Sequence, residues 1–194
     1  MKICLFGSAT DKIDSIYIEK TEELCEELAR RGHTLIFGGG ANGVMGAAAR
    51  AFKRGGAEVY GVIPKFFETE KLEAAYTECT RLIETETMNE RKQIMEDMAE
   101  AFIIAPGGIG TYDEFFEVLT NKQLGRHEKP IVIFNLVGFY EELLTMLNVS
   151  INKKFVRENC KKLYFSTDET DRLISYLEDA KPTGLKSSDL KDGE

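Results

Sequence analysis

The sequence predicts an α/β protein with a Rossmann-like, doubly wound and mainly parallel sheet of about seven strands, with helices on both faces. Three observations predict this fold. Short β-type runs alternate with helical patterns along the chain, which is the order of βα units. Several runs, such as KICLFGS and PIVIFN, are continuously apolar, as in strands buried on both faces. Glycine-rich turns directly follow the second and fifth of these runs.

The predicted elements follow one another without an internal repeat or a linker. Strands are predicted at residues 2–8, 34–39, 58–64, 81–86, 101–106, 130–135 and 163–166. Helices are predicted near residues 15–31, 43–54, 88–100, 111–125, 139–155 and 169–179. We therefore expect one domain over residues 1–180, followed by a polar tail at 181–194 that carries Pro and Gly and is expected to be flexible.

Composition and charge exclude several classes of function. The net charge of −8 argues against a groove for a nucleic-acid polymer, which needs clustered Lys and Arg. Cys4, Cys25, Cys79 and Cys160 are scattered, so we predict free and mostly buried thiols, with neither a metal site nor a disulfide framework. No apolar run approaches the roughly 20 residues of a membrane helix. We expect a cytoplasmic protein that does not bind membranes.

The strand-to-helix turns are the places to search for a site, because ligands of open parallel sheets bind beyond the carboxyl ends of the strands. The turn FGSATD, which contains Ser8, follows the first strand, and GGGANG at 38–43 follows the second. GGGANG matches the dinucleotide pattern GxGxxG, but Glu58 opens its strand, so the expected acidic residue at the end of the next strand is missing. We predict instead that Gly38, Gly39 and Gly40 let the backbone approach a ligand closely, and that Gly43 and Gly46 begin the helix against the sheet. A glycine turn without a ligand stays an open alternative.

The turn PGGIGTYDE at 106–114 indicates a ligand site more specifically than GGGANG does. Gly107, Gly108 and Gly110 permit unusual backbone angles, and Thr111 is predicted to open a helix whose free N–H groups attract an anion. No Lys-Ser/Thr pair follows, so the turn is not a Walker loop. Glu114 has two interpretations. It is either a catalytic carboxylate or the partner of Thr111 in a capping box, where it only satisfies a backbone N–H.

Arg91 and Lys92 lie in an amphipathic helix, on the side of its apolar residues. Charges are rarely buried without a partner, so a ligand anion or an acid across a subunit interface is expected to pair them. The alternative is that both long side chains reach past the helix end into solvent. The apolar face, taken at about 100° per residue, comprises Met88, Met95, Met98, Ala99 and Phe102.

The motifs GGGANGVMG, MNERK, PGGIGTYDE and QLGRHEKPIVIFN together resemble those of the LOG ("Lonely guy") family, whose members are often labelled possible lysine decarboxylases. The resemblance runs to about residue 179. PGGxGTxxE is matched at every fixed position, and GGGxxGLMG at all but one, where Val44 replaces Leu. Two departures are MNERK in place of the family's frequent MHERK, and Asn121 where a Trp is frequent.

The resemblance implies a phosphoribohydrolase, and hence a nucleotide-binding domain over residues 1–180. Such an enzyme hydrolyses a nucleoside 5′-monophosphate, AMP or an N6-modified, cytokinin-type AMP, to the free base and ribose 5-phosphate. By position, the essential residues are Arg91 and Glu114. The resemblance also implies a homodimer. No metal or cofactor is expected. Asp113 and Lys92 are candidates for protonating the departing base. The predicted substrate-binding residues are Ser8, Gly39, Gly40, Gly43, Met88, Lys92, Gly107, Gly108, Gly110 and Thr111.

Two alternative functions stay open. Proteins of the same architecture carry molybdenum cofactor, which also presents a phosphate. A carrier needs the anion site but not the pair Arg91 and Glu114, so the sequence favours the enzyme. Lysine decarboxylation is a weaker alternative, because nothing marks a Schiff-base lysine with an acidic partner for a pyridinium nitrogen.

Overall fold

The computed structural model describes residues 1–191. Seven strands in this range form one sheet, in which every pair of neighbouring strands is parallel. The strand order is β4-β3-β2-β1-β5-β6-β7. Each strand lies within or overlaps a predicted one, so the predicted fold class is confirmed. The strands are β1 Lys2–Phe6, β2 Thr34–Phe37, β3 Val59–Pro64, β4 Arg81–Thr85, β5 Ala101–Ile104, β6 Ile131–Phe134 and β7 Phe165–Thr167.

The six predicted helices are present, and four short helical segments join them. The long helices are α1 Ser15–Arg30, α2 Gly43–Arg54, α4 Met88–Met98, α5 Ile109–Gln123, α6 Glu141–Asn152 and α7 Thr170–Asp179. The additional segments are α3 Lys65–Thr69, α8 Ser187–Leu190 and two 3-10 turns, Leu136–Gly138 and Glu158–Lys162. They are too short to produce a periodic pattern, which is why the sequence does not reveal them.

The core lies in two layers, one on each face of the sheet. On one face α1, α2 and α7 pack through residues such as Leu28, Phe52 and Leu177. On the other face α4 and α5 pack through residues such as Met95 and Phe115. Because both faces are covered, the five inner strands are almost wholly buried, which explains their continuous apolar runs, whereas the edge strands β4 and β7 are partly exposed.

Two expectations from the sequence differ from the structure. Phe102 does not share the apolar face of the helix, because α4 ends at Met98 and Phe102 lies buried in β5. The tail was expected to be flexible, but Ser187–Leu190 form a short helix, and Leu190 is buried against Cys160 and Leu163. Residues 192–194 of that tail lie outside the described residues.

All four cysteines are free thiols, as predicted; Cys4, Cys25 and Cys160 are buried, and Cys79 is half-buried. None of the helices in residues 1–191 has the length and apolar character needed to cross a membrane.

The order of the strands in the sheet determines where a ligand site is expected. From β1 the chain builds outward through β2, β3 and β4, then crosses back to β5 and builds in the other direction through β6 and β7. The strand order therefore reverses between β1 and β5, and helices that follow neighbouring strands diverge there to opposite faces. A crevice is expected at the carboxyl ends of these two strands.

Candidate active site

A cleft of about 660 Å³ opens at the carboxyl ends of β1, β2 and β5. It is lined by the turn after β1, the start of α2, the segment after α3, the first turn of α4 and the start of α5. The lining residues that matter for the chemistry are Ser8, Asp11, Lys12, Phe67, Glu73, Met88, Arg91, Gly108, Gly110, Thr111 and Glu114.

Arg91 is held in place by backbone carbonyl groups of two strand ends. Its Nε donates to the carbonyl of Val62 at 3.1 Å, and its Nη2 donates to the carbonyl of Gly38 at 2.8 Å. The ring centroid of Phe67 lies 5.4 Å from the guanidinium carbon, which places a cation–π contact on one face. Nη1 has only a weak contact, 3.8 Å to the sulfur of Met88. The guanidinium is therefore fixed on three sides, and its Nη1 edge makes no strong hydrogen bond to the described residues.

Two glycines of the turn after β2 make room for side chains of the protein itself. A Cβ atom on Gly38 would collide with Nη2 of Arg91 and lie 3.0 Å from its Cζ. A Cβ atom on Gly40 would collide with the carboxylate of Glu73. The sequence predicted that glycines in this turn let the backbone approach a ligand. The structure gives a different reason for the glycines at two positions. Gly38 and Gly40 admit two charged side chains to the cleft.

Glu114 does not cap its helix, so that interpretation of the sequence is wrong. Helix α5 begins at Ile109 with Gly108 as its N-cap, and there is no side-chain cap at this end among the described residues. Thr111 therefore lies inside the first turn instead of opening the helix. The glycine backbone before it lets the helix start earlier than the Thr-x-x-Glu pattern suggests.

Glu114 is buried, with 8% of the residue exposed, and its carboxyl group has no hydrogen-bond partner among the described residues. Burial raises the pKa of Glu114 to about 7. The positive charges of Arg91 and Lys92 oppose this rise, and the negative charges of Asp113 and Glu73 add to it. A carboxyl group whose pKa lies near neutrality inside a cleft is suited to acid–base work.

Glu73 is a site residue that sequence reasoning missed. Its Oε1 is buried without a hydrogen-bond partner among residues 1–191, and burial raises its pKa, against the opposing charge of Arg91. The segment that carries it is pinned across the glycine turn, where Ala41 N–H donates to the carbonyl of Ala74 and Tyr76 N–H to that of Gly39, both at 2.8 Å. No periodic pattern or motif marks this segment in the sequence.

Two helix N-termini border the cleft, and they differ. The start of α5 exposes Gly108, Gly110 and Thr111 to the cleft, with no acidic residue in the first turn. At the start of α2, in contrast, the N–H of Gly43 already donates to Oδ1 of Asp11 at 2.7 Å. The α5 start is therefore the position that is ready to accept an anion.

The cleft brings together most of the predicted site residues, but not all. Ser8, Met88, Arg91, Gly108, Gly110, Thr111 and Glu114 line it. Gly39, Gly40, Gly43, Gly107 and Lys92 are absent from the lining. Of these, Gly107 is a glycine because a Cβ there would collide with Thr111 and lie 3.0 Å from the carbonyl carbon of Gly7. For this second group a role in binding stays a prediction.

Lys92 is paired with acidic side chains of the same chain. Its Nζ lies 2.9 Å from a carboxylate oxygen of Asp113 and 2.5 Å from one of Glu117, both on α5. The sequence predicted that an anionic ligand or an acid of a second subunit would pair with this charge. Packing of α4 beside α5 supplies the acids instead. The two candidates for protonating the base, Asp113 and Lys92, thus bind each other outside the lining of the cleft.

Comparison with known proteins decides the family. A family model described as "Possible lysine decarboxylase" matches residues 45–177. The "Cytokinin riboside 5'-monophosphate phosphoribohydrolase LOG2" of Arabidopsis thaliana is 34% identical over 181 residues, covering 93% of this chain and 84% of that protein. The chain belongs to the LOG family. A second member, LOG from Oryza sativa subsp. japonica, is also 34% identical over 181 residues, covering 93% of this chain and 74% of its own length.

Two solved structures share the fold of this LOG family member. A molybdenum cofactor carrier protein from Chlamydomonas reinhardtii superimposes with a TM-score of 0.69 at 20% identity, covering 92% of this chain and 96% of that one. A molybdenum cofactor binding protein from Rippkaea orientalis gives a TM-score of 0.67 at 18% identity, over 92% and 94% of the two chains. At such identities the likeness concerns the fold alone.

Proposed function

We propose that this LOG family member is a phosphoribohydrolase that cleaves the N-glycosidic bond of a nucleoside 5′-monophosphate, either AMP or an N6-modified AMP. One observation carries the proposal. The buried residue Glu114, whose carboxyl group makes no hydrogen bond within the described chain, lines the same cleft as the tethered Arg91 and the start of α5, which has no side-chain cap. Relatives named as phosphoribohydrolases support it.

Each part of the cleft has a task in this chemistry. The 5′-phosphate binds the N–H groups at the start of α5, where the helix dipole favours an anion. Cleavage passes through a ribose with oxocarbenium character. Ionised Glu114 orients the attacking water and stabilises the positive charge that develops on the sugar. Glu73, with an unpaired carboxylate oxygen, accepts hydrogen bonds from ribose hydroxyl groups.

Arg91 binds and positions, and it does not transfer protons, because a guanidinium keeps its protons in proteins. Its two bonds to the carbonyl groups of Gly38 and Val62 fix the plane of the group. The remaining Nη1 edge contacts the phosphate or the ribose. The Arg91 charge also favours the ionised form of Glu114, which is the form that the reaction needs.

The first prediction concerns the phosphate. AMP should be cleaved with a kcat/KM at least ~100-fold above that of adenosine, because the start of α5 binds the anion and orients the substrate. Released adenine is measured by chromatography, with N6-isopentenyl-AMP as a third substrate. Equal rates on AMP and adenosine would contradict the role given to α5. A carrier in the manner of the structural neighbours would bind the nucleotide and release no base.

The second prediction concerns assembly. We propose a homodimer, as the family resemblance implies, although α4 itself does not require an acid from a second subunit. Met95 is buried within the chain, and Lys92 has its own acidic partners. Light scattering at micromolar concentration should give about twice the 21.8 kDa of one chain. A mass near that of one chain, with activity intact, would contradict the dimer. The cytoplasmic location also stays a prediction.

A further inference from the structure

The Tyr140 side chain connects two neighbouring strand ends from inside the core. The pairing of β5 with β6 ends at Ile104, so the next carbonyl group, that of Ala105, needs a donor other than the neighbouring strand. The hydroxyl group of Tyr140 supplies it and donates to the Ala105 oxygen at 2.7 Å. Tyr140 is fully buried. A side chain from the connection between β6 and α6 therefore reaches the turn that precedes α5.

The same hydroxyl group interacts with the other side of that turn. Pro106, the residue after Ala105, has no N–H of its own. Burial raises the pKa of Tyr140, and the nearby charges of Tyr112 and Glu114 add to the rise. A hydrogen bond from the backbone of Gly107 acts in the opposite direction. The Tyr140 oxygen thus donates to the residue before Pro106 and accepts from the residue after it.

Tyr140 is itself fixed by its surroundings. Its backbone N–H donates to Oδ1 of Asn135 at 2.7 Å. Nδ2 of Asn135 in turn donates to Oε1 of Glu141, also at 2.7 Å. The Tyr140 ring packs edge-on against the rings of Tyr112 and Phe139, with centroid distances of 6.1 and 4.9 Å. Held in this way, the hydroxyl group has little freedom to follow a movement of the turn.

The first turn of α5 has little that fixes it on the side of the cleft. It has no side-chain cap among the described residues. A Cβ atom on Gly108 or on Gly110 would meet nothing within 4 Å outside its own stretch of chain. The turn is held instead on its far side, by Tyr140 and by the N–H of Ser8, which donates to the carbonyl of Pro106 at 3.0 Å.

We propose that Tyr140 is a positioning residue for the reaction. Its hydroxyl group fixes the turn before α5, and this turn determines where the N–H groups at the start of α5 and the carboxyl group of Glu114 lie. The inference rests on the proposed function, because these are the groups that bind the 5′-phosphate and orient water there. Tyr140 is absent from the lining of the cleft, so it acts through the turn and not by contact with the substrate.

Tyr140→Phe removes the hydroxyl group and preserves the ring. The carbonyl group of Ala105 then loses its donor in a buried position, and we expect the turn to rearrange. The kcat/KM on AMP should fall about tenfold, because a displaced turn misplaces Glu114 and the N–H groups for the phosphate together. Calorimetry with inorganic phosphate should show an affinity about tenfold weaker than that of the wild-type protein.

The matched control is Tyr164→Phe. Tyr164 is half-buried beside α5, and its ring centroid lies 6.2 Å from that of Phe115. It is absent from the lining of the cleft. This variant also loses one tyrosine hydroxyl group next to α5, but it leaves the turn before α5 unchanged. Phosphate affinity and kcat/KM should therefore equal those of the wild-type protein.

A third variant separates positioning from stability. Tyr140→para-aminophenylalanine keeps a donor for Ala105 and should restore the phosphate affinity to within about twofold of wild type. An equal loss in this variant would contradict the role given to the hydrogen bond. If the wild-type protein releases no base from AMP, the proposed function fails, and phosphate calorimetry still decides the role of Tyr140. A lower melting temperature in Tyr140→Phe, with unchanged phosphate affinity and turnover, would overturn the inference.

Discussion

Glu114→Gln is expected to lose at least ~100-fold in kcat/KM on AMP and at the same time to gain stability above pH 7. Gln preserves the size of the side chain, but it cannot ionise to orient water or to stabilise an oxocarbenium-like ribose. Because Glu114 bonds no N-terminal amide of α5, the substitution removes no helix cap. Loss of activity in a fully folded protein would therefore report the chemistry of the carboxylate.

The gain in stability follows from the burial of Glu114. Its pKa is raised from 4.5 to about 7, so the folded protein binds a proton more tightly than the unfolded chain does. Between these two pH values the native state holds more protons, and the stability of the wild-type protein falls as the pH rises. This difference in pKa lowers the unfolding free energy of the wild-type protein by roughly 3 kcal/mol, and the full loss is reached above pH 7. The uncharged Gln avoids this cost.

Denaturant unfolding at pH 5.5 and at pH 8.5 measures the effect. The Gln variant should exceed the wild-type protein in unfolding free energy by about 2–3 kcal/mol at pH 8.5, and by clearly less at pH 5.5. Glu117→Gln is the matched control, since it makes the same change one turn along α5, outside the lining of the cleft. It should retain activity. Wild-type turnover by Glu114→Gln would show that the reaction uses another group.

Gly38→Ala is expected to reduce kcat/KM roughly 100-fold through Arg91, although it adds a single methyl group. The new Cβ would collide with the Nη2 atom of Arg91. The guanidinium is the end of a flexible side chain, so it would move aside before the backbone does. It would then lose its 2.8 Å bond to the carbonyl of Gly38 and its place in the cleft. Displacements of about 1 Å in a positioning group cost this much in rate.

A double-mutant cycle identifies the cause. In an Arg91→Ala background the collision is gone, so adding Gly38→Ala should change kcat/KM by less than about twofold. The same cycle on the unfolding free energy should show that Gly38→Ala costs about 1–2 kcal/mol only when Arg91 is present. If Gly38→Ala costs equal activity in both backgrounds, then the glycine serves a backbone approach to the ligand, as the sequence pattern suggested.

Local patterns in the sequence were enough for the elements, whereas the family resemblance singled out Arg91 and Glu114. Apolar runs and helical periodicity are set by neighbouring residues, so the seven strands and six long helices follow from them. The topology of such units then brings the glycine turns to one edge of the sheet. Arg91 lies in the motif MNERK and Glu114 in the motif PGGIGTYDE, and both side chains line the cleft. The predicted start of α5 was wrong, because the glycines before Thr111 and not the Thr-x-x-Glu pattern determine where that helix begins.

Only the tertiary structure decided which charged side chains meet. Glu73 reaches the cleft because its segment crosses the glycine turn after β2, a pairing between stretches more than 30 residues apart. Asp11 meets the start of α2 for a similar reason, and the partners of Lys92 depend on how α4 packs beside α5. Contacts of this kind depend on the distance and angle between packed elements. Those are set by the fit of the whole core, and no spacing along the chain encodes them.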